Sequence, residues 1–342
     1  MSSNGICFEP GTKKRLDFPV AETITGTIHS PVTIISGERR GKTLVLAAAC
    51  HPGEYNGVMA AIRLGKELSP QDLTGTLIII HVQNVPGLQA KTGHNCPLDG
   101  MNLGRAYPVP DAAVEEAGTV SHQARSITHQ ICAALFEEFI SKCDAFIDLH
   151  GGEHFETLPP NIEYLVTERE DTDRKTRALA ESFGYQFLWR VPHGTIPEMP
   201  GYPGRGSAVY EANMLGIPAV LCEVGGEGKI EPELVEMTVG GVMNAMKYLG
   251  MVTGHPERKE MQTLVGGHVL FANRAGMFLS GVKAGQEVKR EQYLGELVNF
   301  EGNTVETFYA PTHSRLTNVV TMGVANPGDM LFVMGNIQDG AE

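Results

Sequence analysis

Thr43-Leu-Val-Leu-Ala-Ala-Ala-Cys50-His-Pro-Gly-Glu54 is a short apolar run that stops at a histidine, a Pro-Gly turn and a glutamate. A run of this length bounded by turn formers reads as a strand buried on both faces, too short for a helix of ordinary length. Working outward, comparable runs occur at Thr76–Gln83, Ala145–Leu149, Glu163–Thr167 and Ala219–Val224. Between them the apolar period lengthens to that of amphipathic helices over Gly57–Leu68, His122–Cys143, Asp173–Phe183, Ala208–Leu215 and Pro232–Leu249. Strands of this kind separated by helices predict an α/β fold: a mixed, mostly parallel central sheet with helices on both faces.

After Gly254 the texture changes. From Gly267 to Ile337 the chain shows short alternating strands, frequent glycines and no helical period. The expected division is a catalytic domain over residues 1–254 and a small sandwich-like or barrel-like all-β cap over residues 255–342. Within the cap, Ser280-Gly-Val-Lys-Ala-Gly285 before Leu294-Gly-Glu-Leu297 is echoed by Met322-Gly-Val-Ala-Asn-Pro-Gly328 before Leu331-Phe-Val333. That predicts a repeated hairpin.

Composition narrows the classes of function. The 342 residues are 42% hydrophobic and 20% charged, ordinary values for a globular protein. Twenty-seven Lys and Arg stand against 40 Asp and Glu, a net charge of −13, and no basic patch compensates, so nucleic-acid binding is excluded. No apolar run approaches the ~20 residues that span a bilayer, and a signal peptide is not expected, which predicts a cytoplasmic protein without a membrane partner. The six cysteines show no CxxC spacing, and Cys50, Cys143 and Cys222 sit in or beside apolar runs, so reduced structural thiols are expected.

Chemistry in a doubly wound sheet gathers at the carboxyl ends of strands. Here those ends read His51-Pro-Gly-Glu54, then Asp148-Leu-His150-Gly-Gly152, then Cys222-Glu223 followed by Val-Gly-Gly226. An HxxE pair alone is a common accident. Joined by a second histidine and a second glutamate at two further strand ends, it reads as a metal site. Two histidines and a glutamate, His51, His150 and Glu54, are a common catalytic zinc set that leaves one position open for water. Glu223 is then free to act as general base, against the bland alternative of a carboxylate paired beside a strand.

Five ordered motifs carry a resemblance. Ala49-Cys-His-Pro-Gly-Glu-Tyr-Asn-Gly57, Asn84-Val-Pro86, Asp99-Gly-Met-Asn-Leu-Gly-Arg105-Ala-Tyr-Pro108, Asp148-Leu-His-Gly-Gly152 and Gly216-Ile-Pro-Ala-Val-Leu-Cys-Glu-Val-Gly-Gly226 together resemble the succinylglutamate desuccinylase/aspartoacylase family, deacylases on the zinc-carboxypeptidase fold. The resemblance runs over roughly residues 30 to 335. It implies one zinc ion on His51, Glu54 and His150, water activation by Glu223, and a substrate carboxylate bound by Arg105 with Asn102. A guanidinium suits that task because its planar fork grips a carboxylate in two bonds.

Two departures stand out. The family's Asn-Leu-Asn-Arg reads Asn102-Leu-Gly-Arg105 here, removing one polar side chain from the clamp. No arginine lies between Asn84 and Arg105, where related enzymes place a cation beside the scissile carbonyl, leaving Lys91 or His94 as substitutes. These changes leave the metal set intact and turn attention away from the family's usual acyl-aspartate and succinylglutamate substrates.

Weaker signals are read blandly. Gly37-Glu-Arg-Arg-Gly-Lys-Thr43 is one residue short of a phosphate loop and precedes its strand, Gly201, Gly204 and Gly206 around Arg205 read as a turn, and His122 and His129 as solvent-facing. Glu153 and His154 follow the third ligand closely enough to brace it. The cap is reminiscent of lipoyl or biotinyl carrier hairpins, yet Ala310-Pro-Thr-His-Ser-Arg315 offers no lysine at the tip, so it is expected to narrow the site's mouth or to mediate assembly into a homo-oligomer.

The expectation is a zinc-dependent hydrolase that cleaves the amide of a small N-acyl amino acid or related N-acyl amine. The competing readings are a metallocarboxypeptidase acting on peptides and a non-catalytic metal-binding protein. The charge of −13 adds a tension: cations at the site must dominate locally, or the substrate is neutral or carries an amine.

Overall fold

The computed structural model describes residues 9–108, 126–202, 204–257 and 259–338. The N-terminal strands are β1 (Thr12–Thr23), β2 (Gly26–Ser36), β3 (Arg39–Ala48), β4 (Thr74–Ile80), β5 (Ala145–His150), β6 (Glu156–Val166), β7 (Phe187–Pro192) and β8 (Ala219–Gly226). The C-terminal strands are β9 (Gln262–Phe271), β10 (Gly276–Ser280), β11 (Glu287–Val288), β12 (Tyr293–Val298), β13 (Thr304–Tyr309), β14 (Ser314–Val320), β15 (Val324–Ala325) and β16 (Met330–Ile337). The helices are α1 (Tyr55–Glu67), α2 (Val85–Ala90), α3 (Ile127–Glu138), α4 (Glu170–Phe183), α5 (Ala208–Met214) and α6 (Pro232–Tyr248). None is long and apolar enough to cross a membrane.

One sheet is ordered β1-β2-β4-β3-β5-β8-β6-β7-β9-β16-β14-β11 and is mixed. Its parallel run is β4-β3-β5-β8, and β6-β7-β9 forms a second. Antiparallel pairings join β1 to β2, β2 to β4 and β6 to β8, so the parallel share is narrower than the apolar runs suggest. The hairpin β1–β2 has no counterpart in the sequence reading, because Lys13, Lys14, Arg15, Asp17 and Pro19 give β1 the look of a loop. A strand at the sheet's edge tolerates such residues. The expected strand at 163–167 begins earlier, at Glu156, and a register shift between Leu158 and Asn161 accommodates Pro159 and Pro160.

Alternation along the central strands builds two cores. Leu44, Leu46, Ala145, Ile147, Leu149, Val220 and Cys222 face one side, where α1, α4 and α6 pack. Val45, Ala47, Phe146 and Ala219 face the other, against Ile131 and Leu135 of α3 and Val209 and Ala212 of α5. Helices therefore cover both faces. The helix expected over 122–143 is shorter: α3 starts after Ser126, whose Oγ accepts the His129 N–H, and it gives way to a 3₁₀ turn at Ile140–Lys142. His122 lies outside the described residues, as does Cys7; the other five cysteines are free and buried.

The C-terminal strands hold an apolar cluster of their own around Phe278, Leu297, Phe308 and Phe332. The repeat is visible in their order, since β10-β11-β12 and β14-β15-β16 each place a two-residue strand between longer ones. The halves are laced crosswise, β10 pairing β15 and β11 pairing β14. Two seams tie this region to the rest: β9 runs parallel to β7, and Val319 and Val320 of β14 pair with Thr157 and Glu156 of β6.

Candidate active site

On the face of the sheet that carries Phe146 and Ala219, each strand turns polar in its last positions. Asp148 and His150 follow Phe146 at steps of two on β5, and Leu221 and Glu223 follow Ala219 on β8, with His150 directly opposite Glu223. His51 and Glu54 reach the same spot from the turn between β3 and α1. That turn is tight and non-helical, with the Tyr55 N–H bonded to the Gly53 carbonyl, so the pair converges through a Pro-Gly bend instead of a helical turn. Ala49 enters it with φ of 52°, a strained value for a residue with a Cβ, and the Asn84 N–H holds its carbonyl at 2.9 Å.

The three side chains meet. His51 Nδ1 lies 2.7 Å from Glu54 Oε1, and His150 Nδ1 lies 3.2 Å from Glu54 Oε2. One ligand atom from each of His51, Glu54 and His150 falls within 4.8 Å of the others, and the set could hold a metal ion. The far nitrogens are engaged behind it. His150 Nε2 is 3.1 Å from Asp148 Oδ2, Gln83 Nε2 donates to Asp148 Oδ1 at 2.8 Å, and the Tyr107 hydroxyl donates to Gln83 Oε1. His51 Nε2 lies 3.2 Å from Asn102 Oδ1, which also accepts the Gly104 N–H at 2.7 Å. Carboxylate or carbonyl partners of this kind fix an imidazole's tautomer and aim its other nitrogen.

Two glycines make room for this. A Cβ on Gly104 would stand 3.2 Å from His51 Nε2, and one on Gly151 would meet the Val224 carbonyl at 2.4 Å. The Gly-Gly after His150 thus lets β5 and β8 close up at the site. Glu153 is fully buried, accepts the Gly53 N–H at 3.2 Å and lies 3.1 Å from His154 Nδ1, so the two brace the Pro-Gly bend from outside the cavity.

Electrostatics fit a cation here. Burial alone would raise the Glu54 carboxyl, but His150 and His51 beside it hold it down at about 2. Burial opposes protonation of His150, yet Glu54 and Asp148 outweigh it and push the imidazole well above its ordinary range. Glu223 is driven well up by burial; His150 pulls it down, and Glu54, Glu163 and Glu156 push it up. Glu223 Oε2 is buried with no hydrogen-bond partner among the described residues, and Glu54 Oε2, equally buried, has His150 Nδ1 beside it at 3.2 Å. A buried carboxylate between two imidazole nitrogens is a donor set that a divalent ion could satisfy in place of the proton shared among them.

A cavity of about 170 Å³ opens over these groups, room for several waters at ~30 Å³ each and hence for one small molecule. His51, Glu54, Arg105 and Glu223 line it. Asn102 is not among the lining residues; its oxygen is turned to His51. Of the two candidate cations, His94 lines the cavity, its ring 4.7 Å from that of His51, whereas Lys91 is exposed at the end of α2 outside the lining. The loop around Gly201–Gly206 contributes Tyr202, and Arg105 stands 5.8 Å over its ring. Sequence reading passed over Glu163, Tyr202, Thr317 and Asn318, all of which line the cavity. For Glu163 a signal existed: an acid on the same face of β6 as buried Leu165 breaks an otherwise apolar alternation.

Residues 40–249 match the family model described as the succinylglutamate desuccinylase/aspartoacylase catalytic domain. The chain belongs to the succinylglutamate desuccinylase/aspartoacylase family. A curated relative, N-alpha-acetyl-L-2,4-diaminobutyric acid deacetylase from Halomonas elongata, is 28% identical over 247 residues, which are 70% of this chain and 64% of that protein. The chain thus spans less than two thirds of that relative's length. Among solved structures, the product-bound ectoine utilization protein EutE (DoeB) from Ruegeria pomeroyi superposes with a TM-score of 0.83 at 20% identity, covering 97% of each chain. A succinylglutamate desuccinylase/aspartoacylase from Rhodobacter sphaeroides gives 0.82 at 20% identity over 98% of each. At that identity the likeness is one of fold, and it extends through the C-terminal strands that the family's catalytic model leaves unmatched.

Proposed function

We propose that this family member is a zinc-dependent hydrolase that cleaves the amide bond of a small N-acyl amino acid or related N-acyl amine. The observation that carries the proposal is the meeting of His51, Glu54 and His150, with ligand atoms within 4.8 Å of one another, beside Glu223, whose Oε2 is buried without a hydrogen-bond partner among the described residues. The deacetylase relative, named for an N-acyl amino acid, supports the same class of substrate.

His51, Glu54 and His150 would hold the ion, which when bound supplies Lewis acidity toward an amide carbonyl and lowers the pKa of a water. Glu223 takes the proton from the attacking water and passes it to the departing amine, a role that suits a carboxyl opposite His150 with one oxygen unengaged. Arg105 grips the substrate's carboxylate and sets the scissile bond over the ligand triad. His94 stands beside the developing oxyanion, and Asn102 serves by orienting His51.

Residues 255–342 act as a cap with its own apolar cluster, attached to a catalytic unit of residues 1–254 and closing one wall of the cavity through β14 and β16. A reducing, cytoplasmic setting accords with five buried free cysteines.

The test is hydrolysis of acetyl, succinyl and longer-acyl derivatives of several amino acids, with dipeptides alongside. Faster cleavage of dipeptides would favour a carboxypeptidase, and a Glu223→Gln enzyme as fast as wild type would remove the general base. Stoichiometric zinc retained by His51→Ala would overturn the ligand assignment.

A further inference from the structure

We infer that Tyr107 is a positioning residue for the ligand His150: acting through Gln83 and Asp148, its hydroxyl anchors a buried chain of hydrogen bonds that holds the imidazole's proton on Nε2. The inference rests on the proposal above that His51, Glu54 and His150 hold a metal. The chain runs from the Tyr107 hydroxyl to Gln83 Oε1, from Gln83 Nε2 to Asp148 Oδ1 at 2.8 Å, and from His150 Nε2 to Asp148 Oδ2 at 3.1 Å. None of the four residues is more than 4% exposed, so a partner lost from the chain is not made good by solvent.

The sense of the chain follows from its ends. An ionised carboxylate accepts and does not donate, so Asp148 takes one donor on each oxygen, the His150 Nε2–H on one and the Gln83 amide nitrogen on the other. With its proton on Nε2, His150 keeps a lone pair on Nδ1, 3.2 Å from Glu54 Oε2, for a metal to take. The same charge dictates the Gln83 amide: its nitrogen is committed to Asp148, so its oxygen is stranded in the core unless a donor reaches it. Tyr107 is that donor, and it is itself held. Its N–H bonds to the Gly206 carbonyl at 2.9 Å, and its ring lies edge-on to Phe136 with centroids 6.2 Å apart. Apolar residues at 83 and 107 would fill this space without burying two polar groups, but would leave Asp148 Oδ1 bare beside the ligand. One hydrogen bond polarises the next along a chain, so the Tyr107 donation also strengthens the hold of Gln83 on Asp148.

The test is a double-mutant cycle on zinc affinity, read by competition with a chelator on the full chain. In the wild-type background we expect Tyr107→Phe to weaken zinc binding about fivefold and Gln83→Met about tenfold. In the Asp148→Asn background, where no carboxylate holds the Nε2 proton, Tyr107→Phe is expected to cost less than about twofold. A tyrosine needed for packing alone would cost nothing in either background or the same in both, since phenylalanine keeps the ring against Phe136. Equal losses in the two backgrounds, or no loss from Tyr107→Phe in the wild-type one, overturn the inference and leave the deacylase proposal standing. Full zinc affinity in Gln83→Met does the same, and decides the matter if Tyr107→Phe does not fold. Wild type that binds no zinc overturns both readings. Zinc binding with the expected coupling but no cleavage of any N-acyl amino acid removes the deacylase reading and leaves Tyr107 in its role.

Discussion

Asp148 and His150 project from the same face of β5, and Asp148 Oδ2 lies 3.1 Å from His150 Nε2. The carboxylate is held from behind by Gln83, and the arrangement leaves His150 Nδ1 directed at Glu54. Replacing Asp148 with Asn removes the charge that holds the Nε2 proton. Metal affinity is expected to fall about 10–100-fold, the usual loss for such a partner. Competition with a chelator measures it, and an unchanged affinity would show that His150 needs no orienting group.

Gly104 presses on the other histidine. An added methyl would sit 3.1 Å from Asn102 Oδ1 and 3.2 Å from His51 Nε2, wedging apart a contact that is itself 3.2 Å long. Gly104→Ala is therefore expected to weaken metal binding about tenfold, and Gly104→Asn, which restores the family's usual residue, to weaken it further in this chain. Equal chelator midpoints for wild type and both variants would refute the idea.

Glu211 of α5 is buried, accepts the Gly206 N–H at 2.8 Å, and is raised by burial from 4.5 to about 7. A carboxyl with a raised folded-state pKa binds its proton more tightly folded than unfolded. Its contribution is fully present below 4.5 and is lost as pH rises through about 7. Glu211→Gln keeps an acceptor for Gly206 and cannot ionise. The variant should gain about 2–3 kcal/mol relative to wild type between pH 5 and pH 8, measured by urea unfolding at both values.

Phe332 is fully buried, with the Phe278 ring 5.4 Å and the Phe308 ring 6.0 Å away. Phe332→Ala opens a cavity among these rings and is expected to cost about 3–5 kcal/mol. A loss under about 1 kcal/mol in urea titration would mean that the cluster collapses freely around the gap.

How much of this was legible in the sequence depends on what each residue had to satisfy. Leu44–Cys50 and Ala145–Leu149 were readable because both faces of these strands are buried, leaving no polar position to confuse the period. His51, Glu54, His150 and Glu223 were readable because strand ends collect chemistry and each comes with its own Pro-Gly or Gly-Gly. For Asn102 a motif gives neighbours in sequence and not direction, and its oxygen faces His51 and Gly104. Tyr202, Thr317 and Asn318 carry no motif, since their places come from a loop and from a strand paired across some 160 residues, which no local pattern encodes.

That long-range pairing, Thr157 with Val319, has a consequence for the order in which the molecule is made. All three candidate ligands and Glu223 have been synthesised by residue 223, whereas Thr317 and Asn318 follow more than 90 residues later. A nascent chain stopped before β14 would possess every group needed to hold the ion and none of that wall. The candidate ligands and Glu223 are thus complete by residue 223, while one wall of the cavity over them is supplied only when β14 and β16 join the sheet.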